Sequence, residues 1–275
     1  MSGLGALERT IHGTRLRREG EGEPLVLIHG VGMDLAMWDP VVAHLAPDRS
    51  VIRYDMQGHG GSAKPQGPYR LADFVTQLET LLDDLGVETT DLVGFSMGAL
   101  VAQGFALAFP ARVRRLVLLN GVFDRSPAER AAIEARVGEV LKGGYAASIE
   151  AAIDRWFTPG FRSRRPEILA AVRERMRAND LPAYAAAYAV FGTADRELAE
   201  RIHRLAMPVL VATGAEDQRS TAAMAEALAA KLPEGRCHLI PGQRHLTPLE
   251  IPEELAMLIE DFLAEARPGV AVAAR

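Results

Sequence analysis

The sequence holds a single cysteine, Cys237, so no disulfide can form within the chain. Lying in the strand-like run Arg236-Cys237-His238-Leu239-Ile240, it reads as a small core residue. The seven histidines and that one cysteine show no zinc-ligand spacing, and no glycine-rich dinucleotide fingerprint follows the early strand-like runs. Neither a metal nor a nucleotide cofactor is expected. No block of like charge occurs in a chain of net charge −5, which argues against a nucleic-acid partner. The opening residues lack the basic, apolar, small-residue order of a secretory signal. The run Leu92–Pro110 carries no charge and has the length of a membrane span, but Gly94, Ser96, Gly98, Gln103 and Gly104 interrupt it. A strand followed by a buried helix accounts for it better, so the expectation is a soluble, cytoplasmic protein with no membrane association. No internal repeat is visible, and nothing in the sequence speaks to oligomeric state.

What is present is ordinary globular composition, 48% hydrophobic and 24% charged, over 275 residues. That length suits one large α/β domain, or a domain with a sizeable insertion. Leu7 to Arg18 alternates weakly around His12-Gly13, as an edge hairpin would. Leu25–Ile28 is a continuous apolar run of the kind a strand buried on both faces requires, followed by His29-Gly30-Val31-Gly32 and a helix from about Asp34 to Leu45. Val51–Tyr54 is a second such strand, ending in the glycine-rich loop Asp55–Ser62. Between Tyr69 and Leu85 the apolar residues Leu71, Phe74, Val75, Leu78, Leu81, Leu82 and Leu85 recur at helical spacing, and Gly86 is a natural helix stop. Further strands are expected at Leu92-Val93, Val113–Leu119, Val209–Ala212 and Cys237–Ile240, with helices after them at Ala99–Phe109, Thr221–Lys231 and Pro252–Ala264.

Alternation of strand and helix implies a mostly parallel, doubly wound sheet. The alternation stops near Gly121 and resumes near Pro208. Between them lie Ala- and Arg-rich helical segments punctuated by Gly143-Gly144, Pro159-Gly160, Pro166, Pro182 and Gly192. The expected organisation is therefore an α/β core in residues 1–121 and 205–275, with residues 122–204 forming a helical lid over the sheet's carboxyl edge. Residues Arg267–Arg275 read as a frayed tail.

One stretch carries chemistry. Gly94-Phe95-Ser96-Met97-Gly98 lies between an apolar strand and a helix, the setting in which a G-x-S-x-G serine sits at the apex of a strained turn. Side chains two residues before and after that apex would strike the strand and helix, and the glycines remove them. A serine hydroxyl becomes a competent nucleophile only when a base takes its proton, and the base needs an orienting acid. Both are expected just after strands, because parallel strands bring their carboxyl ends to one edge. Asp217 closes the run Thr213-Gly214-Ala215-Glu216-Asp217, and His245 closes Pro241-Gly242-Gln243-Arg244-His245. Glu216 and Asp124 are the competitors for the acid, and His238 for the base. An oxyanion would be held by the backbone N–H of Met97 and of Val31, the latter in a glycine-flanked loop free to turn its amide inward. His29 and His59 read as loop-ordering residues.

The motifs His29-Gly30-x-Gly32, Asp55-x-x-Gly58-His59-Gly60-x-Ser62, Gly94-x-Ser96-x-Gly98, Gly214-x-x-Asp217 and Gly242-x-x-His245 together resemble the α/β-hydrolase superfamily over about Leu7 to Leu263. The resemblance implies the α/β-hydrolase fold, a Ser96–His245–Asp217 triad, no cofactor, and hydrolysis of a small-molecule ester or lactone. Met33–Trp38, Arg53-Tyr54-Asp55 and Arg155–Pro159 are similar to the corresponding segments of 3-oxoadipate enol-lactonases, which hydrolyse a small lactone carrying a carboxylate. Same-class alternatives are cofactor-free haloperoxidases or perhydrolases and carbon–carbon bond hydrolases, although the loop lacks the HGxGPG form of the last. A serine at position 96 disfavours dehalogenases and epoxide hydrolases, which would need Asp there. A ligand-binding signalling protein that retains the triad is the different-class alternative.

Trp38, Trp156 and Phe157 are candidates for an apolar substrate pocket and equally for core packing. The arginines Arg162, Arg164, Arg165, Arg173, Arg175 and Arg177 could attract an anion, but a solvated helix face is the favoured reading.

Overall fold

The computed structural model describes residues 6–45, 49–140, 142 and 145–265; the Gly143-Gly144 break and the Arg267–Arg275 tail lie outside the described residues. Eight strands form one sheet: β1 (Leu7–Arg9), β2 (Arg15–Glu19), β3 (Glu23–Ile28), β4 (Arg49–Tyr54), β5 (Thr90–Phe95), β6 (Val113–Leu119), β7 (Val209–Gly214) and β8 (Gly235–Ile240). Their spatial order is β1-β2-β4-β3-β5-β6-β7-β8. The expected hairpin is the antiparallel edge: β1 pairs with β2, and β2 with β4. From β4 onward every pairing is parallel. The register sets Ile28 beside Gly94, Phe95 beside Leu119, Leu119 beside Ala212, and Gly214 beside Ile240. The loops that follow β3, β5, β6, β7 and β8 therefore emerge along one edge.

The middle stretches of the central strands are apolar because helices cover both faces of the sheet. Leu25 to Ile28, Leu92, Val93 and Leu116 to Leu119 are completely buried. The covering helices include α1 (Asp39–Leu45), entered through a 3-10 turn at Leu35–Trp38, and α2 (Leu71–Asp84), which buries Phe74, Val75, Leu78, Leu81 and Leu82. Gly86, at φ +64°, ends that helix. Helix α3 (Met97–Ala108) follows β5 directly and is buried nearly all round, which explains an uncharged run that is not a membrane span. Among the described residues no helix is long and apolar enough to cross a membrane.

Among the described residues, five α-helices stand between β6 and β7: α4 (Pro127–Glu139), α5 (Tyr145–Trp156), α6 (Pro159–Arg164), α7 (Pro166–Arg177) and α8 (Leu181–Ala199). Proline occupies the first turn of α4, α6, α7 and α8, where its missing N–H costs nothing, and Ser126, Thr158 and Asp180 cap three of them. The prolines thus mark helix starts. Gly192 does not mark a break: α8 runs through it, and a Cβ there would meet Ile133 of α4 at 2.7 Å, so the glycine lets the two helices approach. The chain returns to the sheet with β7, α9 (Ala222–Lys231), β8, a single turn α10 (Thr247–Glu250) and α11 (Pro252–Ala264).

Cys237, expected in the core, is exposed. Strand β8 pairs on one side only, with β7, and residues 236–238 lie open to solvent at that edge. A short apolar run at a sheet edge resembles a central strand in sequence without sharing its burial.

Candidate active site

Ser96 sits between β5 and α3 with φ 55° and ψ −113°, a conformation that non-glycine residues reach only under strain. Its surroundings enforce that turn. A Cβ at position 94 would lie 2.3 Å from the Gly98 carbonyl oxygen, and one at position 98 would lie 2.3 Å from the Ile28 carbonyl oxygen. These obstacles are backbone atoms of the sheet and helix and cannot step aside. The Ser96 amide is pinned by donation to the Leu119 carbonyl at 2.8 Å.

The loops after β7 and β8 bring an acid and an imidazole to this serine. His245 Nε2 is 3.2 Å from Ser96 Oγ, and His245 Nδ1 is 2.6 Å from Asp217 Oδ2. Burial alone would push the Asp217 carboxyl up. The charge of His245 and its hydrogen bond, with further donors from the Arg219 amide and the Asn120 side chain, outweigh it and hold the carboxyl below its ordinary value. Asp217 is then an ionised acceptor, so Nδ1 of His245 carries the proton and Nε2 presents a lone pair to the serine hydroxyl. Oδ1 of Asp217 accepts the Arg219 and Ser220 amides at 2.9 and 3.1 Å, which fixes the carboxylate plane. The imidazole is held by the His245 amide, which donates to the Trp156 carbonyl at 3.0 Å, and by packing against Phe95 and Trp156 with centroids 5.0 and 6.0 Å away.

The rival acids lie elsewhere. Glu216 is 56% exposed and 4.0 Å from Arg244, and Asp124 is 67% exposed and 3.8 Å from Arg130. His238 is exposed on β8.

Asn120, the residue that follows β6, is part of the site. Held at φ 47°, it donates through Nδ2 to Asp217 Oδ2 at 2.9 Å and to Thr213 Oγ1 and the Arg244 carbonyl, both at 3.2 Å. Its Oδ1 accepts Thr247 Oγ1–H at 3.0 Å. One side chain thereby ties the acid, the histidine loop and α10 together. A polar residue closing a buried apolar strand was the signal available.

On the other side of Ser96, the loop Gly30–Gly32 is shaped by His29. The ring is completely buried, and burial lowers its pKa to about 4. It is neutral, donating from Nδ1 to the Gly30 carbonyl at 2.7 Å and accepting the Met56 amide on Nε2 at 2.9 Å. His59 packs edge-on against it at 5.1 Å; burial, then the neighbouring His29, lowers its pKa to about 3. The Val31 amide has no protein acceptor among the described residues. Met97 is the first residue of α3, where an amide has no carbonyl one turn back to bond.

Ser96 and His245 open on a cavity of about 80 Å³, also walled by Val31, Trp156, Tyr184 and Tyr188. One water needs about 10–15 Å³, so the cavity has room for a small molecule. Of the three aromatic candidates only Trp156 lines it. Trp38 and Phe157 are completely buried, the first edge-on to Phe95 at 6.4 Å and the second stacked on Phe161 at 5.3 Å. Each is the largest apolar group at its position, and core packing claimed it. None of the six arginines from Arg162 to Arg177 reaches the cavity: Arg173 pairs with Glu150 at 2.9 Å, Arg175 with Asp34 at 3.1 Å and Arg177 with Glu174 at 2.9 Å. The cationic residues that do line it are Arg125, Arg136, Arg155 and Arg219. Sequence reasoning missed them, although Arg219 lies only two residues beyond Asp217. Among the described residues no group of three or more His, Cys, Asp or Glu is gathered as a metal site.

The family model for the alpha/beta hydrolase fold matches residues 23–252. The chain is 34% identical over 249 residues to (E)-2-((N-methylformamido)methylene)succinate hydrolase of Acinetobacter baylyi, covering 89% of this chain and 92% of that one. It is 30% identical over 236 residues to 3-oxoadipate enol-lactonase 2 of the same organism, with 86% of each chain covered. The crystal structure of the enol-lactonase from Burkholderia xenovorans superposes with a TM-score of 0.85 at 30% identity, over 92% of this chain and 97% of that one. The chain belongs to the α/β-hydrolase fold family.

Proposed function

We propose that this hydrolase cleaves a small carboxylic ester or lactone through a covalent acyl-enzyme on Ser96. The observation that carries the reading is the hydrogen-bonded chain Ser96–His245–Asp217, opening at its serine end on a cavity of small-molecule size. His245 Nε2 takes the hydroxyl proton as Ser96 Oγ attacks the carbonyl carbon. The amides of Val31 and Met97 receive the developing oxyanion. Asp217 stays ionised and holds the imidazolium in orientation. The tetrahedral intermediate collapses, the alkoxide leaves with the proton from His245, and a water activated by the same nitrogen hydrolyses the acyl-enzyme. Helices α4 to α8 act as a lid, supplying the cavity wall and excluding bulk water. The names of the relatives, a hydrolase and an enol-lactonase, fit this chemistry.

Steady-state hydrolysis of p-nitrophenyl esters of increasing acyl length, alongside an anionic enol-lactone, tests the reading. Turnover is expected to fall as the acyl chain outgrows the cavity and to drop by about a thousandfold or more in Ser96→Ala. Full activity in Ser96→Ala would remove the assigned nucleophile. Negligible turnover of every substrate by the folded protein would instead favour a ligand-binding role.

A further inference from the structure

Among the described residues, three guanidiniums that line the cavity have no carboxylate partner. Arg136 comes from α4, Arg155 from α5 and Arg219 from the loop between β7 and α9. Other enclosed arginines sit against a carboxylate, Arg53 against Glu19 at 2.9 Å, Arg175 against Asp34 at 3.1 Å and, in the same cavity wall, Arg125 against Asp195 at 3.2 Å, whereas Arg115 donates to the Glu265 carbonyl. Arg136 has only the Tyr188 hydroxyl, at 3.2 Å, and Arg155 Nε is buried with no partner at all. Asp154, whose charge reaches Arg155, is itself paired with Arg162. The three cations are also close to one another. Burial first, and then the charges of Arg136 and Arg219, hold the Arg155 guanidinium below its ordinary value. Like charges gathered in a half-enclosed site repel at a cost that an anion offsets.

The cavity wall carries more cationic than anionic groups. Arg125 is cancelled by Asp195. Glu129, which also lines the cavity and caps α4 through Ser126 at 2.8 Å, offsets one of the three free cations. Three guanidiniums therefore face one carboxylate at the wall, an excess of positive charge. The arginines arrive from three separate elements, and a planar guanidinium can grip a carboxylate with two parallel bonds.

Their placement relative to the reacting centre is also fixed. The carboxyl end of α5, which carries Arg155, is tied to the histidine loop. The His245 and Leu246 amides donate to the Trp156 carbonyl at 3.0 and 3.1 Å, and Arg244 Nη1 donates to the Asp154 and Phe157 carbonyls at 2.9 and 3.2 Å. Arg219 is held from the other side, its own amide bonded to Asp217. Both the acid and the base of the site are thus coupled through the backbone to an arginine of the cavity wall.

We propose that Arg136, Arg155 and Arg219 form a receptor for two carboxylates, so that the ester or lactone cleaved at Ser96 is a small dianion. The chemistry of cleavage rests on the Ser96 reading above; the anion receptor does not, and binding tests it separately. Calorimetry at low ionic strength would compare glutarate with its uncharged-by-steps isosteres glutaramate and glutaramide, with succinate and adipate to sample carboxylate spacing. The best dianion should bind at least about tenfold more tightly than glutaramate, and glutaramide more weakly still. Arg155→Gln and Arg219→Gln should each lose about tenfold to a hundredfold in dianion affinity, while Arg173→Gln, outside the cavity, should lose none. The bound dianion should also compete with a neutral ester for hydrolysis. Equal affinity for glutarate and glutaramate, no binding of any of the acids, or unchanged affinity in both Arg155→Gln and Arg219→Gln would overturn the proposal. If dianions bind as described and no ester is turned over, the receptor stands and the hydrolytic reading fails. Arg219 lies in an exposed loop, so its variant is informative even if Arg155→Gln folds poorly.

Discussion

Replacing Asp217 by asparagine separates geometry from charge at the heart of the site. The side chain is 6% exposed, and its two oxygens receive four donors: the His245 ring and Asn120 on Oδ2, and the Arg219 and Ser220 amides on Oδ1. An amide has one oxygen, so one pair of donors must face an NH₂ group. With NH₂ on the Oδ1 side, two backbone amides lose their acceptor. With NH₂ on the Oδ2 side, it confronts the Asn120 amide and makes His245 accept at Nδ1, placing the ring proton on Nε2 where it cannot take one from Ser96. Each buried backbone amide left without an acceptor costs about 1–3 kcal/mol, so keeping both backbone bonds is the lower-energy choice and the wrong tautomer results. By analogy with the acid of other triads, kcat should fall about 10⁴-fold, equivalent to about 5.5 kcal/mol of transition-state stabilisation. The assay is steady-state ester hydrolysis on protein whose fold is verified by circular dichroism. Asp124→Asn and Glu216→Gln, both exposed and away from the imidazole, should stay within about twofold of wild type. A loss below tenfold in Asp217→Asn would refute the tautomer argument.

Two glycine substitutions should move stability in opposite directions. Gly98→Ala drives a Cβ to 2.3 Å from the Ile28 carbonyl oxygen and should cost about 3 kcal/mol, read as a melting-temperature drop of about 5 °C. Gly138→Ala, in α4 with nothing within 4 Å of the new methyl, should gain about 0.5–1 kcal/mol; equal effects at both sites would contradict the packing described. Stability should also fall with acidification. His29 and His59 are buried neutral, with pKa lowered from 6.5 to about 4 and about 3, so the unfolded chain binds protons that the folded chain refuses. Their contribution is complete above about pH 6.5 and is lost as pH falls toward 4, with His29 alone accounting for about 3 kcal/mol. Urea melts at pH 7.0 and 4.5 measure the slope, and His59→Gln should flatten it.

The sequence made the sheet legible because the middles of its central strands are buried on both faces and carry no polar interruption, as Leu25–Ile28 and Leu116–Leu119 illustrate. The strained serine was readable because both flanking glycines are required by backbone contacts at 2.3 Å, so the demand is written into five consecutive residues. Asp217 and His245 were readable through their positions after strands. Trp38, Phe157 and Cys237 were not, since an aromatic or a small sulfur residue has the same appearance in a core, a cavity or an exposed edge strand. Charge was the hardest to place. Whether an arginine is spent on a neighbouring carboxylate, as Arg173 is on Glu150, or left facing a cavity, as Arg155 is, depends on contacts between helices that a linear pattern does not carry.

The most direct test of the central claim is covalent capture of the nucleophile. Wild-type protein would be incubated with a small p-nitrophenyl alkylphosphonate, and the adduct located by intact mass and peptide mapping. One equivalent should attach at Ser96, with release of p-nitrophenol matching loss of esterase activity, and Ser96→Ala should remain unlabelled. Attachment at another residue, or undiminished ester hydrolysis by Ser96→Ala, would contradict the account.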